Sequence, residues 1–409
     1  MTTMQRPALS ELANPATLPD PYPVLAGLRD ASPFAEFDGK FVVAGRHADI
    51  SAVLRHPNAS SERNKSLVAA AAERRTSDRP SFLSLDPPDH TRLRRLVSKA
   101  FTPRMIARLE PRIQAITGEL LTAAAPNGQL EVVSQLAYPL PVRIISEMLG
   151  VPVEDHPRFA GWSARLAHSL QPGFALDPET ALARAEAARI ASDEFAAYFR
   201  ELIAARRAQP AEDLLSDLIR AEDNGEMLTE NELIATCVLL LVAGHETTVG
   251  LISNAILALL RHPDQLALLR ADNDLAADAV EETLRYDAPV QMTARVARGG
   301  MPVGDLVAVD GALVLLLLAA AGRDPEVFPD PDRFDIRRGG AIGHLSFAAG
   351  PHFCLGAPLA RLEAAIAIRA FASRIAEPEL DEDSLAYKPN LNLRGPEQLV
   401  VKFAEIAPR

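Results

Sequence analysis

Residues 347–361 read FAAGPHFCLGAPLAR and include Cys354, one of only two cysteines in the 409-residue chain. Gly350 lets the backbone turn tightly before the sulfur, and Gly356 leaves space just after it for something flat and bulky. The residues that follow predict a helix, so the sulfur lies close to a helix N-terminus, where amides and the helix dipole favour a thiolate. A thiolate held rigidly in a dry pocket is a strong electron-donating axial ligand for a haem iron. The alternative is a buried structural cysteine, which is the commoner fate of a free cysteine.

This loop resembles the cysteine-ligand loop of the cytochrome P450 family, which reads aromatic-x-x-Gly-x-His/Arg-x-Cys-x-Gly. The matching residues are Phe347, Gly350, His352, Cys354 and Gly356. Ala349 stands where many members carry another glycine, and we expect this departure to stiffen the turn without removing a ligand. The resemblance implies that Cys354 is the axial ligand of the iron of haem b.

Charge and composition limit the partners of the chain. The formal net charge of −12 argues against nucleic acid or an anionic membrane as a general partner. Two distant cysteines form no disulfide framework, which indicates a reducing compartment. No apolar stretch follows the N-terminus, and the longest apolar run, Ala312 to Ala321, is too short to span a bilayer. We therefore expect a soluble, cytoplasmic protein, as a monomer.

Helical periodicity dominates the sequence. Helices are predicted at about Pro103 to Ala125, Pro178 to Ala208, Thr229 to Arg261 and Asp272 to Tyr286. Short strands are predicted at Phe41 to Val43, Arg295 to Ala297, Leu306 to Val309 and Leu399 to Phe403. The absence of a repeat or a low-complexity linker favours one domain over residues 1–409, mainly α with a minor β region. The resemblance implies the P450 fold, a prism-like helical domain that encloses haem b.

A long helix is predicted at about 229–260, in the middle of the chain. Thr229 and Glu232 form a capping-box signature, and roughly thirty residues would extend about 45 Å. The residues from Ile234 to Ala243 are apolar almost all round, which places them in the core. The polar segment 243–248, AGHETT, follows, and we expect it to let the hydrogen-bond ladder of the helix open.

The resemblance gives this polar segment a role in oxygen chemistry. It implies that Gly244 leaves room for dioxygen, that Thr247 donates a hydrogen bond to it, and that Glu246 carries protons inward from solvent. His245 is interpreted as a packed or exposed residue rather than a catalytic one. Expected cavity-lining residues are Leu240, Ala243, Gly244, Val290 and Met292, with ordinary core packing an equally open alternative for Leu240.

Four basic residues are candidates for pairing with the two haem propionates, which need partners when buried. His90 and Arg94 are four residues apart on a predicted helix and share a face. Arg295 would reach the site from a strand, and His352 precedes Cys354 by two residues. All four match propionate-binding positions of related bacterial members, although any one alone could be a surface charge.

Glu282 and Arg285 form the Glu-x-x-Arg element of the family, with both charges on one helical face. Together with Arg333 they resemble the buried ion network that steadies the cysteine loop, and a surface ion pair is the alternative. Gly322 stands where the family often has asparagine. The resemblance also places the segments that vary most with substrate in the loop ahead of His90 and around Leu166 to Ala181.

Arg92, Arg95 and Lys99 form a basic cluster in an acidic chain, on a different face from His90. The resemblance puts this helix beside the cysteine side of the haem, where an acidic ferredoxin could dock, steered by charge. A solvated helix face explains the same pattern.

Together these features predict a haem-thiolate monooxygenase. Electrons from NAD(P)H would arrive through a reductase and a ferredoxin, and one atom of O2 would enter a C–H bond or an alkene of a lipophilic small molecule. Two alternatives stay open: oxidative coupling, ring formation or peroxide-driven oxidation on the same fold, and a non-catalytic haem-binding sensor.

Overall fold

The computed structural model describes residues 8–68, 79–168, 178–223, 225–339 and 343–408. Much of the variable segment around Leu166 to Ala181, and residues 69–78 of the loop ahead of His90, therefore lie outside the described residues. The described chain is mainly helical, with short strands near its start, middle and end. The helices are α1 (Tyr22–Ala31), α2 (His47–Arg55), α3 (Asp89–Ala100), α4 (Pro103–Ala124), α5 (Pro139–Met148), α6 (His156–His168), α7 (Pro178–Ala208), α8 (Leu214–Arg220), α9 (Glu230–Arg261), α10 (Pro263–Ala271), α11 (Ala276–Tyr286), α12 (Leu318–Gly322) and α13 (Ala357–Arg374).

The strands form several small sheets. They are β1 (Phe34–Glu36), β2 (Phe41–Ala44), β3 (Ala59–Ser60), β4 (Gln129–Glu131), β5 (Glu222–Asp223), β6 (Glu226–Met227), β7 (Thr293–Ala297), β8 (Met301–Val303), β9 (Leu306–Ala308), β10 (Leu313–Leu316), β11 (Ile375–Ala376), β12 (Glu379–Leu380), β13 (Ala386–Tyr387), β14 (Pro396–Gln398), β15 (Val400–Lys402) and β16 (Glu405–Ile406). The largest sheet has the order β1-β2-β10-β7-β3, in which β2 and β10 are parallel and the other pairs are antiparallel. Arg295 on β7 lies opposite Val314 on β10, so the register of the sheet fixes the backbone position of Arg295.

The predicted central helix is α9, and its start follows from the sequence. The Thr229 hydroxyl accepts from the amide of Glu232, while the Glu232 carboxylate accepts from the amide of Thr229, which completes the capping box. The helix packs against α5, α7, α11 and α13 and carries the largest share of the helical core. Its composition alone would allow it to cross a membrane, but 61% of the relevant window is buried inside the protein.

The expectation that the helix ladder opens at 243–248 is wrong. The segment stays α-helical throughout, because the two threonines satisfy their hydroxyls within the helix. Thr247 Oγ1 donates to the carbonyl of Ala243 at 2.9 Å, and Thr248 Oγ1 donates to the carbonyl of Gly244 at 2.9 Å. Such back-bonding leaves the main-chain ladder intact while it occupies the hydroxyl hydrogens.

The apolar run from Ala312 to Ala321 is buried, as predicted. It forms β10 and the start of α12, and its side chains alternate between two core clusters. One cluster includes Val314 and Leu316 with apolar residues of α2, and the other includes Leu315 and Leu317 with residues of α1. This two-sided burial fixes the sheet beside the helical part of the chain.

Candidate active site

The cysteine loop is a tight turn that only glycine allows at one position. Gly350 has a φ of +68°, and a Cβ at this residue would lie 2.4 Å from the carbonyl oxygen of Leu54 on α2. The amide of Cys354 then donates to the carbonyl of Phe347 at 3.0 Å, which closes the loop. Sequence and structure therefore agree on the role of Gly350, and the structure adds the close approach to α2 that the sequence does not reveal.

The strained position of the turn is Ala348 and not Ala349. Ala348 has a φ of +57°, the left-handed region that favours glycine. Ala349 has a φ of −153°, which is extended backbone that any residue adopts. The expectation that Ala349 stiffens the turn is thus wrong by one residue, because the left-handed conformation falls on its neighbour.

Cys354 is exposed even though protein surrounds it closely. Burial raises the pKa of its thiol, while hydrogen bonds from the amides of Gly356 and Ala357 and the charges of Arg94 and Arg361 oppose that rise. A sulfur that is exposed and yet closely surrounded by protein opens into an internal space. A Cβ on Gly356 would lie 3.9 Å from the Cys354 Sγ, so a side chain at this position would reach ordinary contact with the sulfur.

Positive and imidazole groups gather near this loop, and the described residues place no anion at hydrogen-bond distance from the buried His90, His352 and Arg295 side chains. The rings of His90 and His352 lie 4.1 Å apart, and neither ring nitrogen of His90 has a hydrogen-bond partner. His352 Nδ1 is likewise buried and unpaired. Burial, together with the charges of His90 and Arg295, lowers the pKa of His352 to about 3. A buried pair of imidazoles with open nitrogens suits a ligand that brings hydrogen-bond acceptors.

Arg295 and Arg94 complete this group. Arg295 is 4% exposed, and its guanidinium donates only to the carbonyl of Ala294 and, at 3.4 Å, to the hydroxyl of Thr293. Burial and the neighbouring Arg63 lower the pKa of Arg295 to about 10. Burial also lowers the pKa of Arg94, which donates to the carbonyl of Phe353. Two propionates would supply the missing negative charge, so the residues present fit a haem.

A carboxylate on the central helix is held in its charged form. Glu246 accepts from Lys388 Nζ at 3.1 Å, and its other oxygen lies 3.5 Å from His245 Nε2. Burial alone would raise the pKa of Glu246, but His245 and Lys388 outweigh it and hold the pKa at about 2. Lys388 follows β13 near the C-terminus, and sequence reasoning missed it because no local pattern joins it to α9.

One side of α9 is open although the helix runs through the core. Ala243 is exposed and Thr247 is half-buried, whereas Leu240 is 8% exposed and belongs to the main core cluster. A Cβ on Gly244 would meet only Ile145, at 3.8 Å. Of the two interpretations open for Leu240, its burial in the main core cluster favours ordinary core packing over a place in the cavity wall.

The two predicted cavity residues after α11 differ from each other. Val290 is partly buried and pairs with Leu393 in an isolated bridge. Met292 is only 3% exposed and packs with Tyr22, Leu25 and other residues of the N-terminal core cluster. Met292 is thus a core residue, in contrast to the prediction, because it lies in the same core cluster as the apolar residues of α1.

The Glu-x-x-Arg element forms a buried, two-pronged ion pair. Arg285 Nε and Nη2 donate to the two oxygens of Glu282, each at 2.8 Å. Arg285 also donates to the carbonyls of Gly322, Pro331 and Arg333. These contacts tie α11 to the segment that leads to the cysteine loop.

The third side chain of this network is Arg338 and not Arg333. The Arg333 side chain is 64% exposed, lies 3.5 Å from Asp335, and contributes only its carbonyl. Arg338 is 13% exposed, and its Nε lies 3.2 Å from Glu282 Oε1. The prediction for Arg333 is wrong because the chain bends after Phe334, which turns the later arginine inward. A residue larger than glycine would not fit at position 322, since a Cβ there would lie 2.3 Å from the Arg285 carbonyl oxygen.

A second ion network supports the loop from the other side. Glu281 accepts from Arg361 Nε at 2.5 Å and lies 3.1 Å from His344 Nε2. Arg361 in turn covers the ring of Phe347, with its guanidinium carbon 4.6 Å from the ring centroid. Burial would raise the pKa of Glu281, but His344 and Arg361 hold it at about 2. Sequence reasoning missed this network, although Glu281 directly precedes the Glu-x-x-Arg element.

The basic cluster on α3 is paired within the protein. Arg92 forms an ion pair with Glu232 at the start of α9, while Arg95 and Lys99 both pair with Asp223 on β5. His90, Arg94, Arg95 and Lys99 line an open groove beside Pro351. The cluster is therefore less positive than its sequence suggests, because acids from distant segments neutralise it.

Comparison with known proteins identifies the family of the chain. The sequence model of the Cytochrome P450 family matches residues 38–374. Cytochrome P450 monooxygenase PikC of Streptomyces venezuelae is 44% identical over 94% of this chain and 91% of its own. Vitamin D(3) 25-hydroxylase of Pseudonocardia autotrophica is 39% identical over 92% of both chains. The ligand-free structure of CYP164A2 from Mycobacterium smegmatis superposes with a TM-score of 0.88 at 47% identity, over 96% of this chain and 99% of its own.

The chain belongs to the cytochrome P450 family and is of the bacterial type. Its relatives are named as monooxygenases and hydroxylases, and the chain is an enzyme of this class. The family binds haem b and is reduced by NAD(P)H through redox partners. The predictions of family, fold class, enzyme class and cofactor are confirmed.

Proposed function

We propose that this enzyme inserts one atom of O2 into a C–H bond or an alkene of a lipophilic small molecule, with Cys354 as the axial thiolate of haem b. The observation that carries the proposal is the exposed Cys354, set beside buried imidazole and guanidinium groups that have no anion at hydrogen-bond distance among the described residues. When bound, the haem supplies activation of dioxygen, with one oxygen atom going to the substrate and the other to water.

His90, Arg94, Arg295 and His352 would hold the propionates. Their buried nitrogens gain hydrogen-bond acceptors in this way, and Arg295 gains a counter-charge that the described protein does not supply at hydrogen-bond distance. Removing a guanidinium from a buried carboxylate leaves an uncompensated charge, so loss of Arg295 should weaken haem retention more than loss of an exposed arginine.

Glu246 and Thr247 would manage protons. Glu246 is charged near neutral pH and sits between a lysine and a histidine, so it can take up a proton from the solvent side and pass it on. Thr247 donates its hydrogen to Ala243 within the helix, so its oxygen has lone pairs free to accept a proton from the Glu246 side. A rotation of this hydroxyl then presents its hydrogen to the pocket.

We propose that Ala243, Gly244 and Val290 border the substrate pocket. The first two lie on the open side of α9, and all three are small or apolar, which suits a lipophilic ligand. One relative, named as a vitamin D(3) 25-hydroxylase, supports a large apolar substrate class. The domain is proposed to span residues 1–409 as one unit, as a monomer in the cytoplasm.

We propose that electrons from NAD(P)H arrive through a reductase and an acidic ferredoxin that docks near α3 and α4. Arg92, Arg95 and Lys99 are engaged by acids, so the open charges of this surface are the exposed Arg104 and Arg108. Arg108→Glu should slow reduction by a bacterial ferredoxin severalfold, more so at low salt. Lys40→Glu, a reversal of an exposed lysine between β1 and β2, is the matched control. Equal reduction rates for both variants would reject this docking surface.

The proposal is tested by titrating the purified ferric protein with macrolides, steroids, terpenoids and small aromatics while following the Soret band. A blue shift identifies a substrate class, and product formation driven by NAD(P)H with a surrogate redox pair then tests turnover. Coupled or cyclised products, or turnover with peroxide alone, would favour the alternative chemistries on this fold. A haem spectrum with ligand shifts but no turnover of any bound compound would favour a sensor.

A further inference from the structure

His245 is a buried imidazole whose contacts fix the position of one of its protons. Its side chain is 1% exposed and packs edge-on against the ring of Tyr138, with centroids 5.7 Å apart. Its Nδ1 lies 2.7 Å from the carbonyl oxygen of Leu241, one helical turn earlier. A carbonyl carries no hydrogen, so Nδ1 must be the donor in this contact, and in a neutral ring Nε2 is then the acceptor.

The second nitrogen of His245 points toward the carboxylate of Glu246. His245 Nε2 is buried without a hydrogen-bond partner, and Glu246 Oε1 lies 3.5 Å away. In the absence of a proton, this arrangement sets the Nε2 lone pair against a carboxylate oxygen, which leaves the buried Nε2 unsatisfied. A proton on either atom turns the contact into a charge-assisted or neutral hydrogen bond after a small approach of the two groups.

We propose that His245 is a positioning residue for proton delivery, in which Nε2 exchanges one proton with Oε1 of Glu246. In this exchange the Nε2–H bond breaks as the Oε1–H bond forms, so an imidazolium and a carboxylate become a neutral imidazole and a carboxylic acid, without electron transfer. His245 thereby restores the proton that Glu246 passes toward Thr247, and Nε2 regains a proton from Glu246 once that carboxylate has taken one up from the solvent side. This inference rests on the proposed oxygen-activating function and assigns a proton source to it.

The other groups around the pair favour this division of roles. Lys388 holds Oε2 of Glu246 at 3.1 Å, which leaves Oε1 for His245. Among the described residues, Tyr138 also packs against the pair, and burial together with the charge of Glu246 raises its pKa to about 12. The tyrosine therefore stays neutral near pH 7 and does not compete as a proton donor. Leu241 contributes only its carbonyl, which keeps the ring in one tautomer.

The direct test is nitrogen NMR of the protein labelled with 15N-histidine, as the diamagnetic ferrous carbon monoxide complex. For His245 we expect Nδ1 to carry a proton, because it faces the Leu241 carbonyl, and the Nε2 signal to shift in Glu246→Gln, because it faces Oε1 of Glu246. His262 is an internal control, because its Nδ1 makes the same contact with a carbonyl four residues earlier, Ala258 O at 2.8 Å. Its signals should be the same in both proteins. An Nε2 signal of His245 that is identical in wild type and Glu246→Gln at every pH would overturn the proposal.

A kinetic test separates this proposal from the proposed function. With the steroid or macrolide that gives the largest Soret shift, His245→Phe should lower product per NAD(P)H about tenfold and raise the solvent isotope effect on oxygen consumption. Phenylalanine keeps the aromatic packing on Tyr138, and His262→Phe is the matched control. If His245→Phe keeps the wild-type product yield per NAD(P)H and the wild-type isotope effect while Glu246→Gln changes both, the role proposed for His245 is rejected and that of Glu246 stands. Unchanged values in both variants would also reject the proposed role of Glu246.

Discussion

Lys388, close to the C-terminus, reaches Glu246 in the middle of the central helix, with 3.1 Å between Nζ and Oε2. The two residues are 142 positions apart, and the carboxylate is only 14% exposed. The lysine thus compensates a charge on a helix that otherwise runs through apolar core. It also ties the C-terminal strands to the residue that we propose carries protons.

Replacing this lysine should cost stability and change proton delivery. Lys388→Met leaves Glu246 without its ammonium partner, so we expect a loss of about 1–3 kcal/mol in the free energy of unfolding at pH 7. Chemical denaturation measures this loss. Lys402→Met removes a lysine that is 56% exposed and lies 3.3 Å from Asp381, and it should cost less than about 1 kcal/mol. Equal losses in the two variants would contradict a special role for Lys388.

Glu363 on α13 should make the protein less stable as pH rises. It is 1% exposed, and burial raises its pKa from the ordinary 4.5 to about 8. Between these values the unfolded chain has released the proton that the folded chain still holds, so stability falls as pH rises from 4.5 to 8. Relative to wild type, Glu363→Gln should gain roughly 2–4 kcal/mol of stability between pH 5 and pH 8. A difference between Glu363→Gln and wild type that stays constant with pH would refute the assignment.

Arg338 and Arg333 differ in their contact with Glu282, a difference that the sequence does not reveal. Arg338→Met removes a buried partner of Glu282 and should lower stability by about 2 kcal/mol and speed haem loss. Arg333→Met removes an exposed side chain and should change stability by no more than about 0.5 kcal/mol. Thermal unfolding and the rate of haem transfer to an acceptor protein measure both effects. The reverse order of the two variants would show that Arg333 is the partner after all.

A glycine at position 348 should stabilise the turn before Cys354, whereas a glycine at position 349 should destabilise it. Ala348→Gly relieves a left-handed residue and should stabilise the folded protein by about 0.5–1 kcal/mol. Ala349→Gly, at an extended and buried position, should destabilise it by about 0.5–1 kcal/mol. Denaturation of the two variants checks the signs, and a gain from Ala349→Gly with a loss from Ala348→Gly would reverse the assignment of strain.

Much of the fold and part of the site follow from local sequence. The bounds of α4, α7 and α9 are within one residue of the prediction, because proline at N1 or a capping box marks the start and the periodicity marks the rest. Gly350 and the pair Glu282–Arg285 were predictable for the same reason, since backbone conformation and i,i+3 spacing are local properties.

The remaining features depend on contacts between distant segments. Lys388, Arg338 and His344 join the site through tertiary contacts, with no local pattern that marks them. The pairing of Arg95 and Lys99 with Asp223 likewise needs the position of the β5–β6 hairpin. Leu240 and Met292 show the same limit, because an apolar side chain suits a cavity wall and a packed core equally well.

The most direct test of the central assignment is the spectrum of the reduced carbon monoxide complex in two cysteine variants. We expect Cys354→Ser to lose the strongly red-shifted Soret band, because the iron then lacks its thiolate. Cys237→Ser should keep the band, since Cys237 is fully buried in the core of α9. A red-shifted band that survives in Cys354→Ser, or that disappears only in Cys237→Ser, would contradict the assignment of Cys354 as the ligand.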